Sequence, residues 1–134
     1  MQTRAHRVEM TEPARDVLRR LIEQHGPVLF HQSGGCCDGS SPMCFPAKEF
    51  RVGAADVLLG SLSWHTEFWM SADQFELWKH THLTVDVVDG RGSGFSLEAP
   101  DGVRFIIRSR LLTDAETEAL AAAPPPRTGA DRMT

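Results

Sequence analysis

Residues 10–40 read MTEPARDVLRRLIEQHGPVLFHQSGGCCDGS, and three backbone habits follow one another in this stretch without a gap. Thr11 is a good helix N-cap, and Pro13 falls in the first turn, where its missing N–H costs nothing. Ala14, Val17, Leu18, Leu21 and Ile22 repeat at the spacing of one apolar helical face. Gly26 supplies a C-cap and Pro27 prevents continuation. Val28-Leu29-Phe30-His31 then predicts a short strand that runs into a loop holding all the cysteines of the chain, Cys36, Cys37 and Cys44. Gly34, Gly35 and Gly39 let that loop turn sharply, since glycine alone takes positive φ without steric cost. Ser40-Ser41-Pro42 adds a second turn before Cys44. The segment reads as a display of soft sulfur ligands, with His31 as a neighbouring nitrogen donor.

Beyond Cys44, the chain alternates strand and helix signals. Phe45 to Phe50 is expected to be extended, and Asp56–Leu62 and Glu67–Met70 read as strands. Ser71 and Gln74 form a capping-box pair for a short helix carrying Phe75, Leu77 and Trp78. Leu83, Val85 and Val87 give a strand one apolar face. Gly90–Gly94 is a glycine-rich turn, Phe95–Leu97 resumes strand, and Ala99-Pro100-Asp101-Gly102 turns that strand back onto Val103–Leu112. Thr113 with Glu116 caps a last helix ending before Pro124-Pro125-Pro126. The order predicts an α+β domain over residues 8–112 with a mainly antiparallel sheet, a C-terminal helix over 113–123 and a disordered tail over 124–134.

Composition narrows the function classes. At 134 residues, with 41% hydrophobic and 24% charged side chains, one domain with a real core is expected. The net charge of −4 and the absence of a basic run disfavour nucleic acid as a partner. No apolar run approaches the roughly 20 residues of a membrane span. Residues 1–7 lead into no apolar segment of the secretory type, so a cytoplasmic protein is expected. Clustered cysteines in that compartment point to metal binding, catalysis or redox chemistry rather than structural disulfides.

The helix, the strand and loop "VLFHQSGGCCDGS" and the segment "LTVDVVDGRGSGFSLEAP" together resemble the A-type iron–sulfur carrier (HesB-like) superfamily. The matching positions are Gly34, Gly35 and Cys36, then Asp86, Gly92, Ser93, Gly94 and Phe95, then Pro100. The resemblance implies a compact, mainly antiparallel sandwich or pseudobarrel with an N-terminal helix and short packed helices. One departure matters: carriers of that type complete their cluster with a C-terminal Cys-Gly-Cys, and no cysteine follows Cys44 here. The stretches "FHQSGGCCDGSSPMC" and "QFELWKHT" resemble more closely a bacterial family known as domain of unknown function 779. That resemblance implies a link to aldehyde dehydrogenases and to aldehyde metabolism, without supplying a mechanism.

Cys36, Cys37, Cys44 and His31 are thus the candidate ligands for zinc, iron or an iron–sulfur cluster. A second reading makes one thiol a nucleophile or redox centre, activated by loop N–H groups. The plainest alternative is that some of these thiols are small buried hydrophobes. Asp38 fits a ligand-orienting role or an Asx turn, while Glu67 and Asp86 fit solvated strand faces. His80 fits a helix C-terminal position, His82 a pocket or a strand face, and His65 an exposed hairpin turn. Trp64, Trp69, Phe75 and Trp78 divide between core and a docking surface.

Three functions follow. The first is a homo-oligomeric metal- or iron–sulfur-binding accessory protein of aldehyde oxidation, partnered with an aldehyde dehydrogenase. The second is a small thiol- or metal-dependent enzyme acting on an aldehyde or related electrophile. The third is a metal-free module that docks on a dehydrogenase.

Overall fold

A computed structural model describes residues 6–32, 34, 40–90 and 96–132. The elements run β1 (Val8–Met10), α1 (Glu12–His25), β2 (Val28–Gln32), β3 (Met43–Pro46), β4 (Val57–Leu62), β5 (Thr66–Met70), α2 (Ala72–Trp78), β6 (Thr81–Asp89), β7 (Val103–Leu111), α3 (Asp114–Ala122) and α4 (Gly129–Arg132). They form a mixed α+β fold with two sheets, in the orders β1-β6-β7 and β3-β2-β5-β4. Three of the pairings are antiparallel (β2–β3, β4–β5 and β6–β7), and two are parallel (β1–β6 and β2–β5).

Helix α1 forms as its spacing predicts. The Thr11 hydroxyl accepts the Ala14 N–H, Gly26 closes the last turn at φ 79°, and Ala14, Val17, Leu18 and Leu21 are buried. That face covers a core shared by both sheets, with Phe30 and Phe68 from one and Leu83, Val85, Phe105 and Ile107 from the other. Phe30 meets Phe105 edge-on at 4.9 Å between ring centres. Each buried Leu or Phe contributes roughly 1.5–3 kcal/mol by leaving water.

The sheets approach each other at both edges without closing a barrel. The Ile107 N–H of β7 donates to the Ser40 carbonyl just before β3, at 2.9 Å. At the other edge, a Cβ added to Gly60 of β4 would lie 3.1 Å from Val8 of β1.

Several expectations change. Phe45–Phe50 is a strand only to Pro46, after which the chain turns. Ser71 caps α2 through the Gln74 N–H, but the Gln74 side chain accepts the Trp78 indole N–H instead of completing a box. Ser96 and Leu97 form a corner, not a strand, because both backbone groups of Cys44 are held there. The Cys44 N–H donates to Ser96 Oγ at 2.8 Å and the Leu97 N–H to the Cys44 carbonyl at 3.0 Å. The partner of β7 is therefore β6, along a ladder from Thr81↔Leu111 to Asp89↔Val103. Thr113 and Glu116 make the full capping box expected of α3.

The stretch expected to be a disordered tail returns to the sheet. The Leu58 N–H donates to the Arg127 carbonyl at 2.8 Å, and Thr128 bridges Val57. These are backbone contacts, which leave no hydrophobic pattern in a polar, proline-rich sequence.

Candidate functional site

Strand β2 is buried on both sides, and its alternation assigns each residue to one of two environments. Phe30 enters the main core. His31, one residue on, faces the opposite side, beside a smaller cluster of Leu29, Val52 and Trp69 with Phe45, Phe50 and Leu58 packed against it. Cys44 pairs with Phe30 across the β2–β3 ladder, and His31 pairs with Met43. Cys44 is thus fully buried in the main core, on the face away from His31. Burial, with a smaller contribution from the Glu98 carboxyl, pushes its thiol far above the usual range, so it stays protonated.

The sheet therefore separates two of the four candidate ligands. His31 and Cys44 cannot share one ion, because strand neighbours on opposite faces project in opposite directions. Cys36 and Cys37 lie outside the described residues, as do Asp38, Gly35 and Gly92–Phe95. Among the described residues no three His, Cys, Asp or Glu side chains are grouped to hold a metal. A donor set that includes both Cys44 and His31 does not fit this fold.

His31 has instead a partner that sequence reading missed. Its Nε2 lies 3.1 Å from Asp56 Oδ2, with the two side chains only 10% and 17% exposed. The ring rests against Phe50 at 5.0 Å, and Phe50 stacks on Phe45 at 4.7 Å. A carboxylate only accepts, so in the neutral imidazole this 3.1 Å contact favours the proton on Nε2 and the lone pair on Nδ1. Asp56 just precedes β4, and the strand order β2-β5-β4 brings it across from a distant part of the chain. An isolated aspartate before a strand carries no pairing signal by itself.

The same face holds a cavity of about 190 Å³, lined by Leu58, Glu67, Trp69, Arg127, Thr128 and Asp131. The Trp69 indole N–H donates to Glu67 Oε1 at 3.2 Å, so Glu67 is tied to the sheet rather than simply solvated.

The remaining candidates are mostly architectural. Burial pushes the Asp86 carboxyl up, but hydrogen bonds from Arg108, the Val87 N–H and the Thr11 hydroxyl outweigh it and hold the group below its usual value. Its contacts with Thr11 and Arg108 measure 2.8 Å each. His82 is buried, with Nε2 3.9 Å from Glu9 and Nδ1 without a partner among the described residues. Desolvation lowers its pKa and keeps it neutral. Trp69 and Trp78 are in the interior, which leaves Trp64 as the exposed tryptophan, with the Arg15 guanidinium 5.2 Å from its ring. Trp64 and His65 both take left-handed backbone conformations, at φ 59°. Glu98, which sequence reading passed over, is 1% exposed and its carboxyl takes the Ser96 hydroxyl.

No curated protein and no solved structure matches the chain. A family profile does: the one described as Domain of unknown function (DUF779) covers residues 17–111, from the middle of α1 to the end of β7. This span holds the β2–β3 pair, the His31–Asp56 contact and the cysteine loop, and the chain belongs to that family.

Proposed function

We propose that this protein is a metal- or iron–sulfur-binding accessory factor of aldehyde oxidation on a HesB-like scaffold, acting with an aldehyde dehydrogenase in the cytoplasm. Its donors are Cys36, Cys37 and His31. Cys44 leaves the set and serves the core.

The observation that carries this reading is the 3.1 Å contact between His31 Nε2 and Asp56 Oδ2. Metal-ligating histidines commonly give their second N–H to a carboxylate, which fixes the ring and raises the basicity of the ligating nitrogen. The pair sits one residue from the end of β2, where the chain departs toward both loop cysteines. Two thiolates and one imidazole suit zinc or iron and leave a coordination position open. In a homo-oligomer a second copy could fill that position. The chemistry such a metal supplies is Lewis-acid polarisation of an aldehyde oxygen.

Anaerobic purification with metal analysis and a visible spectrum tests this. The expected result is near-stoichiometric metal, lost in Cys36→Ser, Cys37→Ser and His31→Ala and kept in Cys44→Ala. A colourless, metal-free protein overturns it.

The same contact favours a second reading. An imidazole held against a carboxylate is the base that activates a neighbouring thiol, and Cys36 and Cys37 follow His31 by five and six residues in the sequence. In that case the thiol adds to the aldehyde carbon and the carbonyl oxygen takes the proton, giving a thiohemiacetal. Metal-free protein that binds an aldehyde reversibly, with binding lost in Cys36→Ser or Cys37→Ser, would select this reading.

A further inference from the structure

The Asp56 carboxylate is held by a turn that is itself clamped from outside. Within the turn, the Asp56 N–H donates to the Gly53 carbonyl at 3.1 Å, and the Gly53 N–H donates to Asp56 Oδ2 at 2.9 Å. Oδ2 is the same oxygen that faces His31. Over the turn lies the C-terminal segment. The Gly129 N–H donates to the Asp56 carbonyl and the Ala130 N–H to the Ala54 carbonyl, both at 2.9 Å. The Arg127 carbonyl accepts from Leu58, so the clamp continues along the edge of β4.

We propose that residues 127–130 are a strap that positions Asp56, and through it His31, with Gly129 as the positioning residue. The backbones meet so closely at Gly129 that no side chain fits. A Cβ there would lie 1.8 Å from the Gly53 carbonyl oxygen, 2.7 Å from its carbon and 3.0 Å from Val52 Cγ1. The obstruction is backbone, which cannot swing aside as a flexible side chain can. The atom it strikes first is the acceptor of the Asp56 N–H. Pushing Gly53 away breaks that bond and carries off the Gly53 N–H that steadies the carboxylate. Loss of strap contact therefore reaches the imidazole in two steps, through one turn, without passing through the α1-covered core. The functional weight of this linkage rests on the reading of His31 given above; the linkage itself does not.

The test uses full-length, metal-free, ¹⁵N-labelled protein, so a failed metal assay and a failed linkage are separate results. Long-range proton–nitrogen spectra of the imidazoles report the tautomer of each histidine. In the unaltered chain His31 is expected as a single Nε2–H tautomer. Gly129→Ala is expected to convert it to the averaged pattern of a free imidazole, as is Asp56→Ala, while the methyl spectrum of the α1-covered core stays unchanged. Ala130→Pro removes one strap hydrogen bond at a position in the first turn of α4, where proline is tolerated. It is expected to shift His31 in the same direction, and it decides the matter if Gly129→Ala does not fold. An unchanged His31 pattern in a folded Gly129→Ala, or in Ala130→Pro where that is the variant that folds, overturns the proposal.

Discussion

Cys44 stands directly opposite Phe30 across the β2–β3 ladder, and both side chains are completely buried under α1. A thiol in that position behaves as a small apolar group. With Cys36 and Cys37 changed to serine, native protein is expected to resist a thiol reagent and to react only as denaturant opens the core. Cys44→Ser should destabilise by roughly 1–3 kcal/mol, because a buried hydroxyl needs a partner. Urea melts alongside Cys44→Ala, expected to be the milder change, check this.

Glu98 makes stability fall with rising pH. Burial pushes its carboxyl above the ordinary glutamate value, against hydrogen bonds from Ser96 and backbone N–H groups that pull it down. A carboxyl whose folded pKa is raised contributes stability that is full below the unfolded pKa and lost as pH rises through the folded one. Each unit of elevation corresponds to about 1.4 kcal/mol. Glu98→Gln is therefore expected to melt higher than the unaltered protein at pH 8, with the gap shrinking toward pH 4. A gap that is the same at both pH values would contradict this.

Asp86 works in the opposite sense. Its lowered pKa means that its contribution is full above the unfolded value near 3.8 and is lost as pH falls through the folded value. The side chain joins Thr11, the cap of α1, to Arg108 of β7. Asp86→Ala should cost about 1–3 kcal/mol near neutral pH, the range for a charge-assisted hydrogen-bond cluster. The difference from the unaltered protein should narrow as the pH falls below 3.8, as read from melts in low salt.

His65→Gly is expected to stabilise the protein by about 1 kcal/mol, since a left-handed backbone costs a side-chain-bearing residue roughly that much and glycine almost nothing. The imidazole is exposed and leaves no cavity. Thermal melts measure the gain.

The helices were the most legible part of the sequence. α1, α2 and α3 carry their own caps, and α1 its apolar periodicity as well, all within a few residues of chain. β2, β4, β5, β6 and β7 are legible as strands, yet which of them lie side by side is not, because pairing is decided between distant segments. β1 has only three residues, and it pairs in parallel with β6 through Val8↔Leu83. The candidate site divides the same way. His31 stood out beside the cysteine loop, whereas Asp56 and Gly129 reach it through tertiary contacts with no local pattern. Cys44 looked like Cys36 and Cys37 in the sequence. Only the face it takes in β3 sets it apart from a ligand.

The burial of β2 on both faces bears on how firmly its register is set. A slip of one position would send Phe30 toward the Asp56 carboxylate and His31 into the hydrocarbon beneath α1, and both exchanges are costly. Such a slip would have to disturb two separate sets of packed side chains at once. The strand is accordingly a poor candidate for a sliding or hinging element. Phe30 and His31 thus keep their two environments apart, with β2 as the fixed reference for the elements packed on either side.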